Sequence, residues 1–311
     1  MKKVLCYASQ TSILGISLAV GLAGNANALT LTPTNSGTEL ANTIVGEGIT
    51  VEPGSINYTG ANGSAGFFNE GMSSGIGIES GIILTTGQAS DAIGPNNSSG
   101  TGSDNSGGGD EDLASLVPGF NINDASVLEF DFESEGGDLF FDFVFASEEY
   151  NEFVNSSFND VFGFFLDGEN IAVIPGTETP LAIDNVNLDV NSQFYNNNDD
   201  GSFDLEYDGF TNVLTAQALD LSAGTHTIKL AVGDAGDSIL DSAVFIGANT
   251  FADVENPVID PVEPPVEPVE PPVTPTPDTA TTPEPGSILS LLAVGLVGSG
   301  SLMKRKSNSL N

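Results

Sequence analysis

Asp234, Asp237 and Asp241 fall within one short segment, Val232-Gly233-Asp234-Ala235-Gly236-Asp237-Ser238-Ile239-Leu240-Asp241. If the glycines at 233 and 236 turn the chain, Asp234 and Asp237 come within ~7 Å, the span of a β-turn. Two carboxylates at that distance repel by ~0.6 kcal/mol in water, and by several times more in a partly buried site. A hard cation reverses the sign, and Ca²⁺ takes about 6–8 oxygen ligands. Glu148, Glu149 and Asp160 flank a second turn-rich segment and are candidates for the same ion. These six residues predict at least one structural Ca²⁺. The competing reading is that the aspartates cap turns by accepting backbone N–H bonds.

Other candidate chemistry is thinner. Asn196, Asn198, Asp200 and Gly201 fit the first positions of an EF-hand loop, but Tyr207 stands where the closing glutamate belongs. No helices are expected beside it, which leaves a weak calcium loop or a plain turn. His226 is the sole histidine and lies at an expected strand start beside a turn. No Gly-x-Ser-x-Gly elbow accompanies it, so it reads as a surface or turn residue. Glu148 and Glu149 would suit a glycosidase only if they stood ~5–9 Å apart across a sugar. Neighbours on a strand point to opposite faces, which disfavours the pair. No zinc cluster, Walker loop or Rossmann loop is present, and the expectation is a protein without enzymatic activity.

The charge balance narrows the partners. The chain carries 43 acidic and 6 basic residues. Five of the basic ones, Lys2, Lys3, Lys304, Arg305 and Lys306, lie near the termini, so Lys229 alone serves the body. Such a surface repels nucleic acid and anionic membranes. Its carboxylates need cations, water or backbone amides as partners. Cys6, the single cysteine, lies in the N-terminal leader, which leaves no disulfide and no thiolate metal site downstream.

The elements that must position these groups read as strands. Leu128, Phe130 and Phe132 alternate with Glu129, Asp131 and Glu133, and Leu139, Phe141, Phe143 and Phe145 form a second alternating run. Ile228, Leu230 and Val232 alternate with Thr227, Lys229 and Ala231. Val161 to Leu166 is apolar on both faces, as a buried strand is, and Asp167-Gly168 marks a hairpin turn. Ser98 to Asp112 has the composition of a long loop. Many short strands with Gly, Asn and Asp turns predict an all-β, antiparallel sandwich or jelly roll. The region 29–252, about 220 residues, suits one large domain of that class.

Both ends read as targeting segments. Met1-Lys2-Lys3, an apolar stretch to Leu22 and Ala26-Asn27-Ala28 fit a signal peptide over 1–28. Residues 253–282 repeat Val, Glu and Pro and predict an extended polyproline stalk, with a reach of up to ~90 Å. Residues 283–311 contain Pro283-Glu284-Pro285, an apolar run from Ile288 to Met303, and Lys304-Arg305-Lys306. The run is shorter than the ~20 residues of a spanning helix.

Two family resemblances follow from these residues. The tail resembles the PEP-CTERM sorting signal, which implies recognition by a membrane sorting transpeptidase and removal of the tail. Gly75 to Gly87, Asp110-Glu111-Asp112-Leu113, Phe143 to Phe153 with Asn159 to Phe164, and Val232 to Phe245 resemble the choice-of-anchor L domain. That resemblance implies export and surface display, and brings no catalytic residues with it. The combined expectation is a surface-displayed structural or adhesive protein of the matrix or biofilm, stabilised by Ca²⁺, with extracellular polysaccharide or surface proteins as partners. The rival is a carbohydrate-binding module using Tyr58, Tyr150, Tyr195 and Tyr207 as an exposed platform. A glycoside hydrolase relying on Glu148 is a weaker one.

Overall fold

A computed structural model describes residues 3–8 and 28–255. Strands make up 42% and helices 11%, which places the chain in the all-β class. One sheet runs, in spatial order, β1 (Lys3–Ala8), β14 (Leu214–Leu221), β8 (Gly137–Ser147), β16 (Ser242–Gly247), β6 (Gly81–Thr85), β5 (Ala65–Asn69) and β2 (Thr30–Pro33). β13 (Gly209–Thr211) also pairs with β8, and β12 (Tyr195–Asn197) with β13. The second sheet runs β10 (Glu169–Asn170), β9 (Val161–Leu166), β15 (Gly224–Ala235), β7 (Ile122–Ser134) and β3 (Ile49–Val51). β11 (Leu181–Ala182) adds to β9 and β4 (Asn57–Thr59) to β7. These strand pairs are antiparallel, as expected for a sandwich. Three short helices, α1 (Gly37–Ile44), α2 (Gly71–Ser74) and α3 (Glu111–Leu116), fill corners.

The period-two runs account for the core. Leu128, Phe130 and Phe132 of β7 and Leu139, Phe141, Phe143 and Phe145 of β8 are buried, while Glu129, Asp131 and Glu133 stay half-buried on the other face. The two sheets meet through edge-to-face rings. Phe141 lies 4.2 Å from Phe164, and Phe143 lies 5.1 Å from it. Each such side chain contributes about 1.5–3 kcal/mol on burial, and the ring geometry adds about 0.5–1.5 kcal/mol per pair. β9 is buried on both faces because α3 covers its outer side, where Val161 and Phe165 pack with Leu113 and Leu116. Asp167 (φ 51°) and Gly168 (φ 83°) form the expected tight turn from β9 to β10.

The long loop ends at Asp110 rather than Asp112, because Asp110 caps α3 by accepting from the backbone N–H of Asp112 and Leu113. Lys229 on β15 pins that cap, with Nζ 2.5 Å from Asp110 and 2.7 Å from Asp112. Lys229→Met is expected to lower stability by about 1 kcal/mol, read as a shift of the urea midpoint. The loss should shrink in high salt.

Lys3–Ala8 pairs along β14, and Cys6 is buried there, its thiol pushed up to about 12 by burial. Residues 9–27 lie outside the described residues, as does everything after 255, including the stalk, the apolar run, Pro283, Glu284, Pro285, Lys304, Arg305 and Lys306. Among the described residues no helix is long and apolar enough to cross a membrane.

Candidate metal centre

Antiparallel register gathers the acidic residues. The C-terminal end of β8 pairs with the start of β16 (Ser147 with Ser242) and the start of β13 (Ser147 with Gly209). In the facing sheet the end of β15 pairs with the start of β9 (Gly233 with Val161) and of β7 (Asp234 with Asn123). Glu148 and Glu149 just after β8, Asp241 just before β16, Asp208 just before β13, Asp160 just before β9, and Asp234 in β15 therefore share one end of the sandwich. The Ser242 hydroxyl ties the two sheets there, donating to Asp160 Oδ2 at 2.6 Å.

These carboxylates are buried. Asp160 and Asp234 are 1% exposed, and Glu148, Glu149 and Asp241 are 2% exposed. No well-formed hydrogen bond closes on either oxygen of Asp234, although the Thr86 hydroxyl and Asp160 lie near enough to act on it, and none closes on either oxygen of Glu148 or on Oε2 of Glu149. A buried polar atom without a partner costs about 1–3 kcal/mol, and more if charged. Burial pushes Glu148 and Glu149 up to about 10, Asp241 to about 8 and Asp160 to about 7, and holds Asp234 well above the usual carboxylate range. Asp160 is partly relieved by Ser242 and by the Ala235 N–H at 2.9 Å. Asp234 lies close enough to Asp160 for the two to share a proton or a cation.

The six expected ligands do not form a single set. Among the charged neighbours, Asp160 acts most strongly on Glu149 and on Asp234, whereas Asp208 and then Glu206 act most strongly on Glu148. Adjacent glutamates leaving a strand diverge, and they enter two neighbouring groups. Asp241 touches both: its carbonyl accepts from the Glu148 N–H at 3.0 Å, and its charge bears on Glu148 and Asp234. Asp237 is half-buried at the rim. It caps a turn, with Oδ1 accepting from the Ile239 N–H at 3.2 Å. Gly236 (φ 128°) makes the turn before it, while Gly233 lies within β15. Among the described residues no three acidic groups are gathered as a finished ligand set. Like charges spread apart, and a cation would have to draw them in.

A strap of backbone covers the row. The Ser103 N–H donates to both oxygens of Asp241, and the Asn105 N–H donates to Asp124 Oδ2 at 3.0 Å. Asn96 donates to Asp208 Oδ1 at 2.5 Å, and Thr101 to Glu206 Oε1 at 2.6 Å. The expected long loop is thus held by carboxylates along its length. Gly87 sits so close to Asp241 that a Cβ there would overlap the carboxylate. Asp208, Glu206 and Asp124 were not anticipated. Asp204-Leu205-Glu206-Tyr207-Asp208 does alternate acid with apolar residue, the pattern of a strand with one acidic face.

The EF-hand-like loop is a turn. Asp200 Oδ1 accepts from the Ser202 N–H and hydroxyl, and Asn198 Nδ2 donates to the carbonyls of Leu205 and Tyr207. The tyrosine platform is overturned. Tyr150, Tyr195 and Tyr207 are buried and Tyr58 is half-buried, with Tyr150 packed on Tyr195 and Tyr207 on Phe245, so they present no exposed flat face. His226 is buried too, not at the surface. Its Nδ1 lies 2.8 Å from Asp167 Oδ2 and its Nε2 2.9 Å from the Ser222 carbonyl. A carbonyl only accepts, so Nε2 donates there and offers no lone pair to the Ser222 hydroxyl 3.4 Å away. His226→Gln is expected to cost about 1–3 kcal/mol in urea melts and to leave any hydrolysis seen in a substrate screen unchanged.

The family model of the choice-of-anchor L domain matches residues 29–252. The chain belongs to the choice-of-anchor L family. Its match begins where β2 opens the first sheet and ends just beyond β16, so the choice-of-anchor L domain is the whole described sandwich apart from β1. Membership makes this an exported, surface-anchored protein. No curated protein matches the chain. No solved structure matches it either.

Proposed function

We propose that this choice-of-anchor L protein is a structural or adhesive component of the extracellular matrix or biofilm, a rigid scaffold stabilised by Ca²⁺ and without enzymatic activity. The observation that carries the calcium reading is Asp234. Its carboxylate is 1% exposed, beside Asp160, and no backbone N–H meets either oxygen, the Thr86 hydroxyl being the one donor near it. Turn-capping predicts N–H partners for such an aspartate, and Asp234 has none. Hard oxygen ligands at strand ends suit Ca²⁺, which tolerates irregular geometry.

The stalk and tail fit display at a distance from the membrane, with a sorting transpeptidase acting on the Pro-Glu-Pro segment. Mass spectrometry of the protein from its native envelope tests both termini. Retention of residues 1–28 and 283–311 in the mature chain would remove the sorting reading. Isothermal titration of the chelator-treated protein tests the metal. Heat of binding below about millimolar Ca²⁺ is expected, and none at millimolar Ca²⁺ removes the calcium part.

A carbohydrate-binding reading keeps one supporting observation. A cleft of about 350 Å³ is lined by Asn57, Thr59, Asn105, Asp110, Asp124 and Lys229. Amides, carboxylates and one ammonium suit a polar saccharide. Binding on a glycan array that disappears with Lys229→Ala would favour that role over the scaffold.

A further inference from the structure

Glu148 and Asp208 form a second donor-poor pair beside the one at Asp160 and Asp234. Glu148 is 2% exposed with both carboxylate oxygens lacking any donor. Asp208 is 1% exposed; Oδ1 is met by Asn96, and Oδ2 has no partner. Ser147 pairs with Gly209 in antiparallel register, which sets Glu148 beside Asp208 one residue past the ladder, and Asp208 is the charge that bears most on Glu148, with Glu206 next. Glu206, 5% exposed, keeps one oxygen on Thr101. The frame is stiff: Asn198 closes the loop ahead of β13 through its side chain, and its N–H donates to the Asp208 carbonyl at 2.8 Å. Nothing in that frame offers a cationic side chain, because Lys229 is bound to Asp110 and Asp112. Glu148 and Asp208 leave three carboxylate oxygens without a donor, hard ligands of the kind that a divalent cation takes as it draws them together.

We propose that Glu148 and Asp208, with Glu206 beside them, hold a second divalent cation, distinct from the one at Asp160 and Asp234, with Asp241 lying between the two. The proposal rests on reading the buried acidic row as a cation centre, and it adds a stoichiometry and a location. A paired centre explains why two adjacent glutamates are both buried: each serves a different ion. It also assigns a task to the 96–107 strap, which is held on Asp208 and Glu206 at its start, on Asp241 at its middle and on Asp124 at its end.

The test is Ca²⁺ stoichiometry of the purified full-length protein at pH 7.5, by equilibrium dialysis and isothermal titration after chelation. Two ions per chain are expected at millimolar Ca²⁺. Asp208→Asn should leave one, and Asp234→Asn should leave the other. Both changes are isosteric and remove an anionic ligand oxygen, and circular dichroism checks the fold; Glu148→Gln is the second variant for the Asp208 site. A wild-type stoichiometry of one overturns the proposal and needs no variant. Two ions that both survive Asp208→Asn and Glu148→Gln overturn it as well. No binding at all sinks the calcium reading itself, whereas one ion lost with Asp234→Asn sinks only the second site.

Discussion

Removing Ca²⁺ should lower the melting temperature at pH 8 by about 5–10 °C, and the difference should fade towards pH 5. The sign follows from the proton balance. Glu148 and Glu149 at about 10, Asp241 at about 8, Asp160 at about 7 and Asp208 at about 6 all lie above their unfolded values near 4. Burial is the first cause in each case. A carboxylate raised on folding binds more protons folded than unfolded, so metal-free stability falls as pH climbs from ~4 through the folded value. The slope approaches about 1.4 kcal/mol per pH unit for each group in that window. Ca²⁺ competes with protons for the same oxygens and supplies the charge that burial denies. At 100 times its dissociation constant it adds about 2.7 kcal/mol. At about 2–4 °C per kcal/mol for a domain of this size, that gives the stated shift. Scanning calorimetry at pH 5, 7 and 9, with Ca²⁺ and with chelator, checks it. Equal melting temperatures at pH 8 would end the metal account, and a metal-free protein that gains stability from pH 5 to 9 would refute the buried-acid account.

Asp234→Asn should act in opposite directions with and without metal. In chelator burial holds Asp234 largely protonated, so the change replaces one neutral buried group with an amide that can donate to Asp160. Stability should hold or rise slightly, by about 1 kcal/mol for a hydrogen bond gained. In Ca²⁺ the same change deletes a ligand, and the rise in melting temperature on adding Ca²⁺ should be largely lost. A turn-capping aspartate gives a different result: its replacement by asparagine keeps an accepting oxygen, and neither condition shifts much. Thermal melts of wild type and variant in both buffers separate the two readings. An unchanged response to Ca²⁺ in the variant would take Asp234 out of the centre.

Much of the architecture was readable from residue order. Alternation of Phe with Glu or Asp in β7 and β8 placed the core face correctly, because a strand sends neighbours to opposite sides. The doubly apolar run in β9 was buried on both faces, and Asp167-Gly168 turned the chain as expected. The acidic row was half legible. Asp234, Asp160, Asp241 and both glutamates were singled out, and all are buried at one end of the sandwich. Their division into two groups was not visible, nor was the entry of Asp208 and Glu206, which lie far along the chain from Glu148. The tyrosines misled because composition cannot say which side of a strand an aromatic faces once the loops are irregular.

Local order alone determined the strand character, the turn positions and the scarcity of cations. Each depends on neighbours a few residues apart, or on counts. Tertiary structure alone decided which carboxylates meet and which remain without donors. That depends on register across two sheets, where Ser147 faces Ser242 and Gly209, and Gly233 faces Val161. A shift of one residue in any of these pairings would turn the flanking acids to the opposite face, away from the row.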